Sequence, residues 1–120
     1  MTYLKSIGAG LLMAIATSGA ALPHANYTAS SPSANATLRK PPHEVSVVVT
    51  QQVETAFSRI EVLDAKGKRV DKNNTRVTGK RSKLVVDLKP LGPGTYTVRW
   101  FAASVDTHRT NGSFKFKVAP

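Results

Sequence analysis

From residue 44 onward the chain alternates. "EVSVVV" sets Val45, Val47 and Val49 on one side and Glu44, Ser46 and Val48 on the other. That is the period-two pattern of a half-buried strand. "FSRIEVLD" puts Ile60 and Val62 on one face and Arg59 and Glu61 on the other, and "SKLVVDLKPL" aligns Leu84, Val86 and Leu88. "TYTVRWFA" directs Tyr96, Val98 and Trp100 inward and Thr97 and Arg99 outward. "SFKFKV" is the cleanest case, with Phe114, Phe116 and Val118 in and Lys115 and Lys117 out.

Between these runs lie turn signals. "DAKGKRV" supplies a glycine turn into a short strand at 69–70, "NNTRVTG" reads as a short strand or a loop, and "GPG" at 92–94 is a turn. "QQVETAFS" carries the only weak helical period and is expected to be loop with one helical turn. Residues 22–42, rich in Ser, Ala, Asn and Pro, read as an extended leader with turns. About seven short strands with turns roughly every 8 to 12 residues predict an all-β domain, an antiparallel Greek-key sandwich or barrel. Trp100 and the phenylalanines are then core rather than ligand-stacking residues.

Residues 1–21 do not follow this pattern. "MTYLKSIGAGLLMAIATSGAA" opens with Lys5, continues in an apolar run and ends in small residues. This is the layout of a secretory signal peptide, with an uncleaved amphipathic anchor as the alternative. The apolar run is shorter than the roughly 20 residues a spanning helix takes. Cleavage is expected after Ala21, and a cut as late as after Pro23 is the other option. The folded domain is then 24–120, expected to be exported, soluble and monomeric.

The formal net charge is +10, and removing Lys5 leaves +9. Basic residues cluster at 66–69, 72–76 and 80–83. Export and the lack of interleaved aromatics argue against nucleic acid as a partner. A solvated surface, with some attraction to anionic envelope lipids, accounts for the charge. The four Asn-x-Ser/Thr triplets, at Asn26, Asn35, Asn73 and Asn111, are read as polar loop residues. The chain has no cysteine, and both methionines lie in residues 1–21. The mature domain therefore folds on packing alone and has no soft sulfur donor of the kind that selects Cu(I).

Three histidines remain: His24, His43 and His108. His43, between two prolines and a strand, is expected in solvent. His108 stands in "SVDTHRTNG", two residues after Asp106. In extended backbone, residues i and i+2 point to the same side, so the carboxylate and imidazole can converge. A mixed N,O pair suits Cu(II), Ni(II) or zinc. The same spacing also suits a hydrogen-bonded turn in which Asp106 caps backbone N–H groups. Spacing leaves both open. His24 adds to the metal reading if processing leaves it at the new N-terminus, because its α-amine, with a pKa of about 8, can give up a proton to a metal. Amine and imidazole of His24 with Asp106 and His108 make four N/O donors.

"HANYTASSPSANATL" followed by "GTYTVRWFAASVDTHRTNGSFKFKV" resembles the CopC/PcoC copper-resistance proteins of the bacterial periplasm. That family opens its mature chain with His-Ala and closes on GxYxVxWxxxSxDxHxxxGxxxFxV. The resemblance spans essentially the whole mature chain. It implies a Greek-key β-barrel of immunoglobulin or cupredoxin-like type that binds Cu(II) through His24, Asp106 and His108. Three departures stand out. No mature methionine is present for the Cu(I) loop that some members carry. The glutamate that supports the copper site in many members is replaced by Gln51. Finally, "GAA" before Leu22 is a better processing site than "ALP" before His24, and a cut after Ala25 would remove His24.

The expected function is a periplasmic Cu(II)-binding protein of copper homeostasis and resistance, with an inner-membrane copper transporter as a further partner. A metal-free interaction module on the same scaffold is the alternative. No nucleophile–base pair or paired carboxylates suggest an enzyme.

Overall fold

The computed structural model describes residues 25–120; the expected signal peptide and His24 lie outside the described residues. Among the described residues, eight strands form two four-stranded sheets. They are β1 (Tyr27–Ser31), β2 (Thr37–Leu38), β3 (Glu44–Val49), β4 (Arg59–Leu63), β5 (Arg76–Thr78), β6 (Lys83–Asp87), β7 (Gly94–Ala103) and β8 (Arg109–Val118). One sheet runs β1-β3-β6-β5 and the other β2-β8-β7-β4. All pairings are antiparallel except the short parallel pair β2–β8. The chain changes sheet at every connection except the β5–β6 and β7–β8 hairpins, which makes a Greek-key sandwich.

The alternation explains the layering. Val45, Val47, Leu84 and Val86 from one sheet and Ile60, Val62, Val98, Trp100 and Phe116 from the other are all buried in one core. Burying each such side chain is worth about 1.5–3 kcal/mol, and this holds the domain together without a disulfide. Thr55–Phe57 forms the single expected helical turn, a 3₁₀ turn between β3 and β4.

The leader is extended with turns, as its composition suggests, and parts of it pair into the sheets. It holds two strands, β1 and β2, each at the edge of its sheet. β1 is mostly exposed and is held by its backbone ladder to β3, so polar composition did not prevent it. The final strand starts at Arg109, four residues before the alternation of "SFKFKV" begins. Consequently Asn111 is a strand residue, whereas Asn35 and Asn73 occupy positive-φ turn positions. The 69–70 segment does not form a strand of its own and makes an isolated bridge, Arg69 to Leu63. Beside it Asp71 is buried. It accepts from the Val62 N–H at 2.8 Å, the Asn73 N–H at 2.9 Å and the Arg69 guanidinium at 2.7 and 2.8 Å.

Candidate metal centre

β7 and β8 are ten residues each, paired from Gly94–Val118 to Ala103–Arg109. The hairpin tip follows at Ser104–His108 and is bridged to the segment after β3 through Val53 and Ser104. The tip closes when the Ser104 N–H donates to the His108 carbonyl at 2.8 Å and the Thr107 N–H to the Ser104 carbonyl at 2.9 Å. Val105, Asp106 and Thr107 form the loop between them. Its last residue, Thr107, has φ +75°, the left-handed position that ends three-residue hairpin loops. A β-branched residue is disfavoured there, so the flanking ladder holds it in place.

Asp106 and His108 do converge, but through this turn rather than through extended backbone. Asp106 Oδ1 lies 3.2 Å from His108 Nδ1. Both side chains are about half exposed at the tip. The turn reading and the convergence coexist: the His108 N–H points at Asp106 Oδ1 at 3.4 Å. The buried Ser104 hydroxyl donates to the same oxygen. The Ser104 hydroxyl, followed by the hydrogen bond from His108, pulls the Asp106 carboxyl down to about 2. It is therefore an ionised, pre-aimed acceptor at neutral pH.

Two further segments border the tip. After β3, Gln52 accepts from the Val105 N–H at 3.1 Å, and the Glu54 N–H donates to Ala103 at 2.8 Å. Gln51, half-buried, sits between Gln52 and Thr50 and brings no charge. The first described residue, Ala25, is bonded through its carbonyl to the Thr110 hydroxyl, 2.6 Å away on β8. The N-terminal end, the segment after β3 and the hairpin tip thus meet at one end of the sandwich. His43 is exposed and immediately precedes β3, at the other end.

Among the described residues no three His, Cys, Asp or Glu side chains gather into a group that could hold a metal. The described part of the candidate centre is Asp106 with His108. Ser104 and Thr110 were not singled out by sequence. The one signal for Ser104 is that it matches the Ser of the SxDxH pattern.

Comparison with known proteins adds a common theme. A profile of the family described as the CopC domain matches residues 27–119. Protein YobA of Escherichia coli K12 is 35% identical over 97 residues, covering 79% of this chain and 78% of the relative. Copper resistance protein C of Xanthomonas campestris pv. juglandis is 30% identical over 127 residues, covering 98% of this chain and 99% of the relative. The crystal structure of CopC from Methylosinus trichosporium OB3b superposes with a TM-score of 0.75 at 32% identity, over 81% of this chain and 95% of the other.

Proposed function

The chain belongs to the CopC family, and from that membership we propose that it is an exported, periplasmic carrier or buffer for Cu(II). In this reading Asp106, His108 and the N-terminal His24 hold the ion, and no catalytic step is involved. The observation that supports it most is the 3.2 Å separation of Asp106 Oδ1 and His108 Nδ1. Two donors each about 2.0–2.1 Å from a first-row metal and at right angles lie roughly 2.9 Å apart, so a small closing motion fits both to one ion. Metal and proton compete for these two donors. Acid therefore weakens binding.

His24 supplies a third donor, and its α-amine a fourth if processing exposes it. Gln51 can support the centre by hydrogen bonding only. The recipient in this reading is an inner-membrane copper transporter. The test is titration of the exported protein with Cu(II), after its intact mass has fixed the mature N-terminus. The expected result is tight one-to-one binding that His108→Ala removes. Binding unchanged in that variant would reject the site.

One observation favours the second reading, a metal-free interaction module. An apolar groove of about 290 Å³ beside the tip is lined by the exposed Phe57 and Val105 with Arg109 and Glu54. Absence of stoichiometric Cu(II) uptake by the wild-type protein would select that reading.

A further inference from the structure

Chain ends usually fray unless something ties them down. Here the described end is tied down at once. Ala25 is fully buried and belongs to the hydrophobic core. Its carbonyl accepts from Thr110 Oγ1 at 2.6 Å. Asn26 then exchanges two hydrogen bonds with Thr50: its N–H donates to Thr50 Oγ1 at 3.0 Å, and the Thr50 N–H donates to its carbonyl at 2.9 Å.

These contacts lie outside the sheet ladders. Thr110 already pairs with Ala102 within β7–β8, so its hydroxyl is spare for the N-terminal segment. Thr50 follows the last residue of β3. One hydroxyl from each sheet therefore grips two consecutive residues. Thr110 stands two residues beyond His108 on the same chain segment. The residue before Ala25 in the sequence is His24.

We propose that Thr110 and Thr50 are positioning residues of the copper centre, clamping 25–26 so that His24 is delivered to Asp106 and His108. This role rests on the Cu(II) reading above. Its physical basis is effective concentration: a donor on a fixed arm meets the ion far more often than one on a free tether.

The experiment compares exported wild type with Thr110→Val, Thr110→Ser and Thr50→Val. Each is titrated with Cu(II) against a competing chelator and examined by electron paramagnetic resonance. Amide exchange at Ala25 and Asn26 is followed in the metal-free protein. Both valine variants are expected to bind about three- to tenfold more weakly, the worth of one lost hydrogen bond. They should also show an altered copper spectrum and faster exchange at 25–26, and Thr110→Ser should restore all three. In a His24→Ala background, Thr110→Val should have no further effect on affinity, because its action runs through His24.

Valine variants with wild-type affinity and spectrum overturn the clamp and leave the Cu(II) reading standing. Equal losses with and without His24 also overturn it, since the effect is then not delivered through that residue. A wild-type protein that takes up no copper overturns both. Should Thr110→Val fail to fold, Thr50→Val, at an exposed position, carries the same comparison.

Discussion

The indole of Trp100 covers the bare Cα of Gly112, its cross-strand partner in β7–β8. A Cβ added at 112 would sit 2.8 Å from Nε1 and 2.9 Å from Cε2 and Cζ2. Tyr27 stacks on the same indole at 6.5 Å and meets Phe114 at 6.0 Å. Trp100 is only 5% exposed and has little room to yield. Glycine is required here by packing, not by backbone conformation.

Gly112→Ala is therefore expected to destabilise the domain by about 1–3 kcal/mol, the usual cost of overpacking a filled site. Denaturant unfolding followed by fluorescence measures it. An unchanged midpoint would show that the indole moves aside.

Trp100 is the only tryptophan in the chain. His108 lies four residues along the chain from Gly112, roughly 13 Å at a strand's rise. Cu(II) bound at the tip should quench this tryptophan strongly, with a break at one equivalent. His108→Ala should abolish the break. Quenching that persists there would place the ion elsewhere.

Copper release on acidification should follow the nitrogen donors and not the carboxylate. The Ser104 hydroxyl and His108 hold the Asp106 carboxyl at about 2, so it stays ionised through mild acid while imidazole and amine take up protons. Ser104→Ala removes the largest of these influences, and the Asp106 carboxyl should rise towards its ordinary value. The check is carbonyl-carbon NMR of Asp106 across a pH titration. A carboxyl that titrates as in wild type would reject the role of Ser104.

Asp71 governs the acid limb of stability. Burial alone would raise its carboxyl, but hydrogen bonds from Arg69 and from the Val62 and Asn73 amides outweigh burial and hold it below the usual range. Its folded pKa is thus depressed relative to about 3.9 in the unfolded chain. The stabilisation is present above that value and is lost as pH falls through the folded pKa. Asp71→Asn should flatten the acid limb. Asp71→Ala, which strands the Val62 and Asn73 amides without an acceptor and takes away the shortest contacts of Arg69, should cost about 2–4 kcal/mol at neutral pH. Urea unfolding between pH 2 and 7 distinguishes the two.

The core was legible because each strand shows one face to it: Val45 and Val47, Ile60 and Val62, and Tyr96, Val98 and Trp100 are all buried as their alternation implies. β1 and β2 were not, since edge strands held by backbone ladders need no apolar stripe. The start of β8 was hidden because Gly112 interrupts the pattern and its place in the core is filled from across the ladder by Trp100. Asp106 and His108 could be paired from their spacing. A hydrogen-bonded turn was one reading of that spacing, but its type, with Thr107 at φ +75°, was not legible, because Thr is an unusual choice for that position. Thr50 and Thr110 left no trace in sequence, because a lone hydroxyl fits any surface strand.

Ala25 and Thr110 touch across 85 positions of the chain. On the proposed ligand set, Cu(II) closes a loop of about that length in a protein with no cysteine. A covalent cross-link around a loop of about 100 residues is worth roughly 4.7 kcal/mol in the chain-entropy account. An ion at about 1,000 times its Kd contributes roughly 4.1 kcal/mol by mass action. Copper is then a removable staple joining the beginning of the domain to its last hairpin. The loaded protein should melt higher and resist proteolysis at its N-terminal end, and a chelator should undo both.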